Sequence, residues 1–204
     1  MKPTLIFAAA LFAVAALAGA PVGAEAPLAP DDIPAGVYTI ETKDTLVRYE
    51  VLHFGYSDYW GTFPGATGTL TLDPKNIAAS KLDVKVPIWS VETTNRELDG
   101  ELFSDEFFDG ETYGSMRFVS TTVTRTGPRT AKVAGDLTMH NITRPVVLEV
   151  TFVAGGPDPF DGKGVIIGFR AQGAVKRSDF GLGKYVPIVS DETRIVISAS
   201  LRRS

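Results

Sequence analysis

Few residues of this chain have the types and spacing that catalysis or metal binding requires. The chain contains two histidines, His53 and His140, and no cysteine. The histidines are far apart, without the H-x-x-x-H or H-x-H spacing that places two imidazoles on one metal ion. The acidic pairs at 105–106 and 191–192 are adjacent residues, whose side chains point in different directions. The sequence therefore predicts no catalytic residues, no metal site and no cofactor.

A small set of polar residues has a pattern that favours binding over catalysis. Arg177 and Asp179 are two residues apart, so they would share one face of a strand. Together with His53, they are candidates to meet a polar headgroup. The same spacing also fits a structural ion pair between Arg177 and Asp179 at the rim of a barrel. His140 is predicted to be a solvated loop residue.

Alternating apolar and polar residues extend from Gly36 to the C-terminus, which is typical of strands with one buried face. In the first long segment, Val47, Tyr49 and Val51 share a face opposite Arg48. The predicted strands are 36–42, 45–53, 66–73, 81–88, 115–124, 132–139, 145–153, 165–176 and 194–202. Strands with one solvent-exposed face, connected by tight turns, indicate an antiparallel sheet. About eight such strands form either a sandwich or a closed barrel.

Small residues on the inward faces favour a barrel with an internal cavity. Bulky side chains would be expected at these positions in a dense core, since protein interiors pack to crystal-like density. The alternative is that neighbours such as Phe118 and Phe169 fill the space. The small inward positions are Ala66, Gly68, Gly135, Ala171, Gly173 and Ala199.

Residues 93–108 are the one segment after the N-terminus that is predicted to be helical. Thr94 and Glu97 fit a capping box, two leucines four residues apart share a face, and Gly110 is a plausible stop. A helical insert so rich in large apolar side chains must pack against an apolar surface. We expect it to lie across the barrel and help close the cavity; the alternative is that it plugs one end of a filled core.

The first residues have the features of a targeting segment. Lys2 precedes an apolar run at 5–18, and small residues follow. The run is short for a membrane span, which needs about 20 apolar residues. We predict a signal peptide at 1–24, a flexible leader at 25–35 and one domain at 36–204. The protein is expected to be periplasmic or secreted, with no stable membrane anchor.

The charge composition excludes some partners. The chain has 24 acidic and 20 basic residues, a net charge of −4, and no basic cluster. This balance argues against nucleic acid and against an anionic membrane surface as partners. Without cysteine there are no disulfides, so folding depends on core burial. A homodimer is left open.

Several short motifs, in this order and spacing, resemble one known family. They are GDLTM at 135–139, TRPV at 143–146, RSDFG at 177–181, LDGELFSDEFFD at 98–109 and GKY at 183–185. Together they resemble the YceI-like, polyisoprenoid-binding family. The resemblance implies a periplasmic, lipocalin-like extended antiparallel β-barrel of about eight strands with a short helical insert. It also implies a tunnel that holds an isoprenoid or fatty chain. Leu98 and Glu101 depart from the family pattern, which has Arg and His there.

From the inward faces, the insert and the turns we select residues expected to contact such a ligand. The strands supply Tyr49, Val51, Leu82, Val84, Phe118, Leu137, Met139, Ile167 and Phe169. The insert supplies Leu98, Leu102, Phe103, Phe107 and Phe108. Aromatic residues beside turns are Phe54, Trp60, Phe63 and Trp89, and the polar end has His53, Arg177, Asp179 and then Phe180. For each residue alone, ordinary core packing is the competing interpretation.

The expected function is non-enzymatic binding, storage or transport of a lipophilic chain molecule. The ligand classes considered are a polyisoprenoid, an isoprenoid quinone and a fatty acid derivative, so a bound isoprenoid or fatty-chain lipid is expected. The alternative is an enzyme that acts on a lipophilic substrate inside the same barrel, with His53 as acid or base.

Overall fold

The alternating segments fold into ten antiparallel strands of one sheet. The structure is a computed structural model that describes residues 27–160 and 162–203, so the predicted signal peptide at 1–24 lies outside the described residues. The strands are β1 (Gly36–Ile40), β2 (Leu46–His53), β3 (Ser57–Phe63), β4 (Thr67–Leu72), β5 (Lys81–Pro87), β6 (Ser115–Arg125), β7 (Thr130–Met139), β8 (Ile142–Pro157), β9 (Val165–Lys176) and β10 (Glu192–Arg203).

Eight of the ten strands close into a barrel. The sheet order is β1-β4-β5-β6-β7-β8-β9-β10-β2-β3, and an additional β1–β10 pairing closes the ring. β10 divides one of its edges between two partners: Leu201 and Arg202 pair with β1, whereas Arg194 to Ser198 pair with β2. The predicted lipocalin-like antiparallel barrel is therefore confirmed, and the β2–β3 hairpin extends its wall.

β3 is a strand that the sequence analysis missed. Gly61 interrupts the apolar pattern there, and the aromatic residues on either side of it are predicted to lie beside turns. In the structure Gly61 pairs with Tyr49, and a Cβ added at Gly61 would lie 2.3 Å from the Tyr49 ring. The glycine is therefore required because the Tyr49 ring lies across its backbone.

The insert between β5 and β6 contains two short helices, α1 (Arg96–Phe103) and α2 (Gly110–Tyr113). The cap of α1 is Asn95, whose side chain accepts hydrogen bonds from the amides of Glu97 and Leu98, so the predicted capping box at Thr94 is wrong. Gly110 was expected to stop a helix; it instead begins α2, behind Asp109. Two backbone hydrogen bonds between Thr62 and Glu92 tie the insert to β3.

The part of the expected flexible leader that the structure describes packs against the barrel. Ile33 is 3% exposed and joins the apolar cluster formed with Tyr38 and Ile167. The Leu28 amide donates to the Gly155 carbonyl at 2.8 Å, and Asp31 pairs with Arg125. Burial of Ile33 supplies the apolar contact that a leader free in solution would lack.

His140 is not the solvated residue that the sequence suggested. It lies in the tight turn between β7 and β8, where both His140 and Asn141 have positive φ. Its Nδ1 lies 3.2 Å from the Phe180 carbonyl oxygen, and its ring packs edge-on against Tyr113. The turn geometry of the β7–β8 hairpin aims this ring at the barrel rather than at water.

Within the part of the chain that the structure describes, no helix has the length and apolar character needed to cross a membrane.

Candidate functional site

The barrel encloses an elongated cavity of about 610 Å³. Its walls are the inward faces of the strands; on β10, for example, every second residue from Thr193 to Leu201 faces it. The lining is dominated by aliphatic and aromatic side chains. This volume lies in the range of pockets that hold small organic ligands, about 300–1,000 Å³. The sheet therefore surrounds a space and not a filled core.

Sixteen of the residues selected from the sequence line this cavity. They are Tyr49, Val51, His53, Phe54, Phe63, Leu82, Val84, Leu98, Leu102, Phe107, Phe108, Phe118, Leu137, Met139, Phe169 and Arg177. The strand residues among them follow from the alternation, because side chains of one strand face share one environment. Four come from the insert, so the insert covers part of the cavity.

Six selected residues lie elsewhere. Trp60 and Trp89 are exposed, and the Arg48 guanidinium stacks on the Trp60 ring at 4.0 Å from its centroid. Asp179 is exposed. Three others are packed: Ile167 and Phe180 lie in apolar clusters, and the ring of Phe103 packs against Gly110.

The expected pairing of Arg177 with Asp179 is wrong. Both residues belong to a short 3-10 helix, Arg177–Phe180, so they do not share a strand face. Arg177 is 7% exposed and Asp179 points to solvent. The negative charge near Arg177 is that of Asp191, whose carboxylate accepts hydrogen bonds from the Ser178 amide and hydroxyl at 2.9 and 2.7 Å. These bonds lower the pKa of Asp191.

Five of the six small inward residues divide into two groups; at the sixth, Gly68, an added Cβ would lie 2.1 Å from the Asp83 carbonyl oxygen. Ala66, Ala171 and Ala199 line the cavity, as expected for residues that leave space. At Gly135 a Cβ would lie 2.4 Å from the Phe118 ring, and at Gly173 it would lie 2.8 Å from Leu148. These two glycines are covered by larger side chains, as the alternative interpretation expected.

The cavity opens to solvent at one end, which we call the mouth. Three of the exposed residues that line the cavity lie there: Phe54, Tyr185 and Ile188 are 55%, 49% and 58% exposed. Glu101 of α1 and Lys184 of the loop 182–190 also lie at the mouth. The sequence analysis did not select these loop residues, although the GKY motif at 183–185 contains two of them.

An ion-pair network spans the mouth. The Lys184 ammonium lies 2.7 Å from a Glu101 carboxylate oxygen and also pairs with Glu106. The Tyr185 hydroxyl donates to the same Glu101 oxygen at 2.7 Å. Hydrogen bonds from Lys184 and Tyr185 hold the pKa of Glu101 below its usual value. The network ties the insert to the loop 182–190, which comes from a distant part of the sequence.

The Arg177 side chain holds the loop 182–190 through hydrogen bonds to its backbone. Its guanidinium donates to four backbone carbonyls, those of Leu182 at 2.6 Å, Lys184 at 2.5 Å, Val189 at 2.9 Å and Ser190 at 2.9 Å. Burial lowers the pKa of Arg177, and the Asp191 charge offsets part of this effect. Because one planar group bonds four carbonyls of one loop, it fixes the shape of the mouth.

Two hydroxyl groups lie on the cavity wall below the mouth. The Thr193 hydroxyl is buried and has no hydrogen-bond partner among the described residues. Tyr49 lies diagonally across the β2–β10 pairing from Thr193. Burial raises the pKa of the Tyr49 phenol, with smaller contributions from Tyr59 and Asp99. Both residues line the cavity.

His53 lines the cavity among aromatic rings. Its ring centroid is 3.8 Å from that of Phe54 and 5.7 Å from that of Tyr59. The His53 ring makes no hydrogen bond with the described part of the chain. Across residues 27–160 and 162–203 there is also no group of three or more His, Cys, Asp or Glu side chains that could hold a metal ion.

Comparison with known proteins decides the family. Residues 38–201 match the family described as YceI-like domain, which is most of the chain. The chain belongs to the YceI-like family. Protein YceI of Escherichia coli O157:H7 is 37% identical over 158 residues, spanning 78% of this chain and 81% of that protein. A UPF0312 protein of Pseudomonas savastanoi pv. phaseolicola is 37% identical over 142 residues, 70% of this chain and 73% of the relative.

Solved structures agree with the YceI-like barrel. A Campylobacter jejuni YceI protein superposes with a TM-score of 0.65 at 28% identity, covering 74% of this chain and 89% of that one. Burkholderia cenocepacia BcnA gives a TM-score of 0.71 at 21% identity, with 79% and 98% covered. A polyisoprenoid binding domain from Saccharophagus degradans gives 0.63 at 10% identity, with 84% and 100% covered. At such identities the last two show the fold.

Proposed function

We propose that this YceI-like protein binds a lipophilic chain molecule, a polyisoprenoid, an isoprenoid quinone or a fatty acid derivative, and stores or carries it. The observation that carries the proposal is the apolar cavity of about 610 Å³ with charged groups gathered at its mouth. Such a site suits a ligand with a long apolar tail and one polar end. The fold shared with a protein described as a polyisoprenoid binding domain supports the same class of ligand.

The physical driving force for such binding is burial of the tail. Each buried methylene contributes about 0.8 kcal/mol, so ten contribute roughly 8 kcal/mol before the cost of ordering the ligand. A tail bound in this way needs few polar contacts. It also follows that the walls discriminate weakly between tails that differ by one methylene. Selectivity must then depend on the length of the cavity and on the polar groups near the mouth.

We propose that the polar end of the ligand lies at the mouth. Tyr49 and Thr193 bring hydroxyl groups to the cavity wall, and Lys184 and Glu101 are charged residues at the mouth. A neutral acceptor such as a carbonyl or an ether oxygen suits the two hydroxyls. The catalytic alternative based on His53 has no hydrogen-bonding partner group within the described residues to support it.

A substitution that fills the cavity tests the proposal. Ala171 lines the cavity in the middle of β9, whereas Ala174 on the same strand is exposed. Ala171→Phe should displace several methylenes of the tail and weaken lipid binding by tenfold or more. Ala174→Phe is the matched control and should bind like the natural protein. Native mass spectrometry after gentle purification, followed by organic extraction, measures the bound lipid.

Two outcomes would contradict the proposal. One is a folded Ala171→Phe variant that retains the same lipid at the same affinity. The other is a natural protein that is recovered empty and binds neither fatty acids nor polyprenols. Either result would mean that the cavity is not a lipid site.

We also propose that the protein is exported and functions in the periplasm or outside the cell. The positive residue, apolar run and small residues of the segment 1–24 support this location. The intact mass of the protein recovered from the periplasmic or secreted fraction tests it. A mass that still includes residues 1–24 would contradict removal of a signal peptide.

A further inference from the structure

A second, smaller cavity lies next to the end of the main cavity that is far from the mouth. Its volume is about 60 Å³. The two cavities share five lining residues: Leu72, Ile77, Ala131, Val150 and Phe169. A single layer of side chains therefore separates them, and this layer is apolar throughout.

Phe169 is the largest side chain in that shared layer. Its ring packs edge-on against Phe152 of the neighbouring strand, with centroids 5.6 Å apart. Its pairing partner on the other side is Ala199, which also lines the main cavity. Because Ala199 has only a methyl group, it places little side-chain volume beside the Phe169 ring.

The segment before β1 supplies one part of the outer wall of the small cavity, and the turn between β6 and β7 supplies another. Pro30 and Ile33 line the small cavity and not the main one. Ile33 is 3% exposed, and its Cδ1 lies where a Cβ on Gly155 would come within 2.5 Å. Ile33 thus fills a niche that only a glycine at 155 leaves free.

The segment before β1 is attached by interactions that differ from those in the rest of the barrel. The segment is attached by the Leu28–Gly155 backbone hydrogen bond, by the Asp31–Arg125 ion pair at 2.7 Å and by the Tyr38 hydroxyl, which donates to the Pro34 carbonyl. The side walls of the main cavity are instead continuous strand ladders. Ile33 is therefore the buried apolar side chain that this segment contributes to the closure of this end.

We propose that the small cavity is a distal subsite for the last carbons of a long apolar chain. In this arrangement Phe169 is the movable partition and Ile33 is the end stop that limits chain length. The ligands concerned are linear fatty acyl or polyprenyl chains that exceed the length of the main cavity. This inference rests on the proposed lipid-binding function and adds the residues that set its length limit.

The proposal predicts a length limit that can be moved. Each methylene that enters the protein strengthens binding about fourfold, whereas one left outside adds little. Affinity should therefore rise with chain length and then reach a plateau. In Ile33→Ala the plateau should move to longer chains by the few carbons that the lost side chain makes room for. Phe169→Leu should move it in the same direction, because the partition becomes smaller.

The experiment measures dissociation constants of the full purified chain, after extraction of any bound lipid, for saturated fatty acids of increasing length. Linear polyprenols of increasing length are measured in parallel, which distinguishes the two sources of chain. Ile88→Ala is the matched control: Ile88 is 0% exposed and lines neither cavity. It removes the same atoms from a core position and should leave the plateau length unchanged.

The outcomes separate the subsite from the function on which it rests. A plateau at longer chains in Ile33→Ala and Phe169→Leu, but not in Ile88→Ala, supports the subsite. Folded variants that keep the plateau of the natural protein overturn it while lipid binding stands. If Ile33→Ala does not fold, Phe169→Leu decides alone. A natural protein that binds no chain of any length overturns both.

Discussion

The two ends of the barrel are closed by different kinds of interaction. The mouth is bounded by the helical insert and the loop 182–190. The Lys184–Glu101 ion pair joins the two, and Arg177 holds the loop. The opposite end is closed by an apolar cluster, in which Tyr38 and Ile167 are 0% exposed. We call this the closed end; its members are Ile33, Tyr38, Ile40, Leu72, Phe152, Ile167 and Leu201.

This difference separates stability from access to the cavity. Apolar burial at the closed end contributes strongly to folding and depends little on pH or salt. Surface ion pairs contribute little to folding and are screened by salt. The mouth can therefore open at a small cost in free energy while the strand ladders stay intact, as the proposed loading and release of a lipid requires. Substitutions at the two ends should affect different measurements.

The largest effect on stability is expected at the closed end. Ile167→Ala removes apolar atoms from a fully buried position and should lower the free energy of unfolding by about 2 to 5 kcal/mol. Lipid release should change much less, since Ile167 does not line the cavity. Urea unfolding monitored by fluorescence measures the first quantity. Ile166→Ala, the next residue on the opposite strand face, is the control and should cost clearly less. Equal losses for the two variants would contradict the assignment of the closed end.

An intermediate effect is expected from Arg177, which joins the barrel to the mouth. Arg177→Met keeps an unbranched side chain as far as the ε position and removes every donor to the four carbonyls. We expect a loss of about 2 to 4 kcal/mol in unfolding free energy, because the carbonyls regain only part of their bonding from water. Lipid should also dissociate faster, since the loop 182–190 loses its support.

Two variants test the role given to Arg177. Arg177→Lys keeps the charge but has a point-like group with three donors, so it should recover only part of both losses. Lys176→Met changes the charge at the neighbouring exposed position and should alter neither stability nor lipid release by much. If Arg177→Met changes stability without changing release, the arginine supports the fold and not the mouth.

Much of the barrel could be predicted because the alternation of apolar and polar residues indicates both the strands and their buried faces. Tyr49, Val51, Leu137 and Met139 were placed on inward faces by a period of two, and the strands keep that period over long stretches. The exceptions have local causes. Gly61 interrupts the alternation in β3 because the Tyr49 ring of the neighbouring strand, β2, lies across its backbone.

The mouth could be predicted less well because its contacts join distant parts of the chain. Nothing near Glu101 indicates that its partner is Lys184, 83 positions later. Arg177 and Asp179 were given a shared strand face, whereas the chain forms a 3-10 turn there that separates them. A side chain that is predicted to point inward can line the cavity or belong to a filled core, and the alternation does not distinguish the two. Ile167 points inward but lies in the packed apolar cluster of the closed end.

The smallest effect on stability is expected at Glu101, where the effect on lipid release should be the clearest. Lys184 and Tyr185 hydrogen-bond its carboxylate and lower its pKa in the folded protein. Because the pKa is lowered in the folded protein, the ionised carboxylate stabilises the folded state at neutral pH. This stabilisation is lost as the pH falls below about 4. Glu101→Gln removes the charge at every pH. Lipid should then dissociate roughly two- to fivefold faster at neutral pH, since exposed ion pairs are weak.

The pH dependence gives this prediction its control. In the natural protein, dissociation should become faster as the pH falls through the range where Glu101 is protonated, and Glu101→Gln should lack that component. Stopped-flow release of a fluorescent fatty acid measures both proteins, and their difference isolates Glu101 from the other carboxylates near the mouth. Glu97→Gln, one turn earlier on α1 and without an ion pair to the described residues, should behave like the natural protein. If Glu101→Gln releases lipid no faster than Glu97→Gln, the ion-pair network does not hold the mouth closed, and access to the cavity must depend on the apolar contacts of the insert alone.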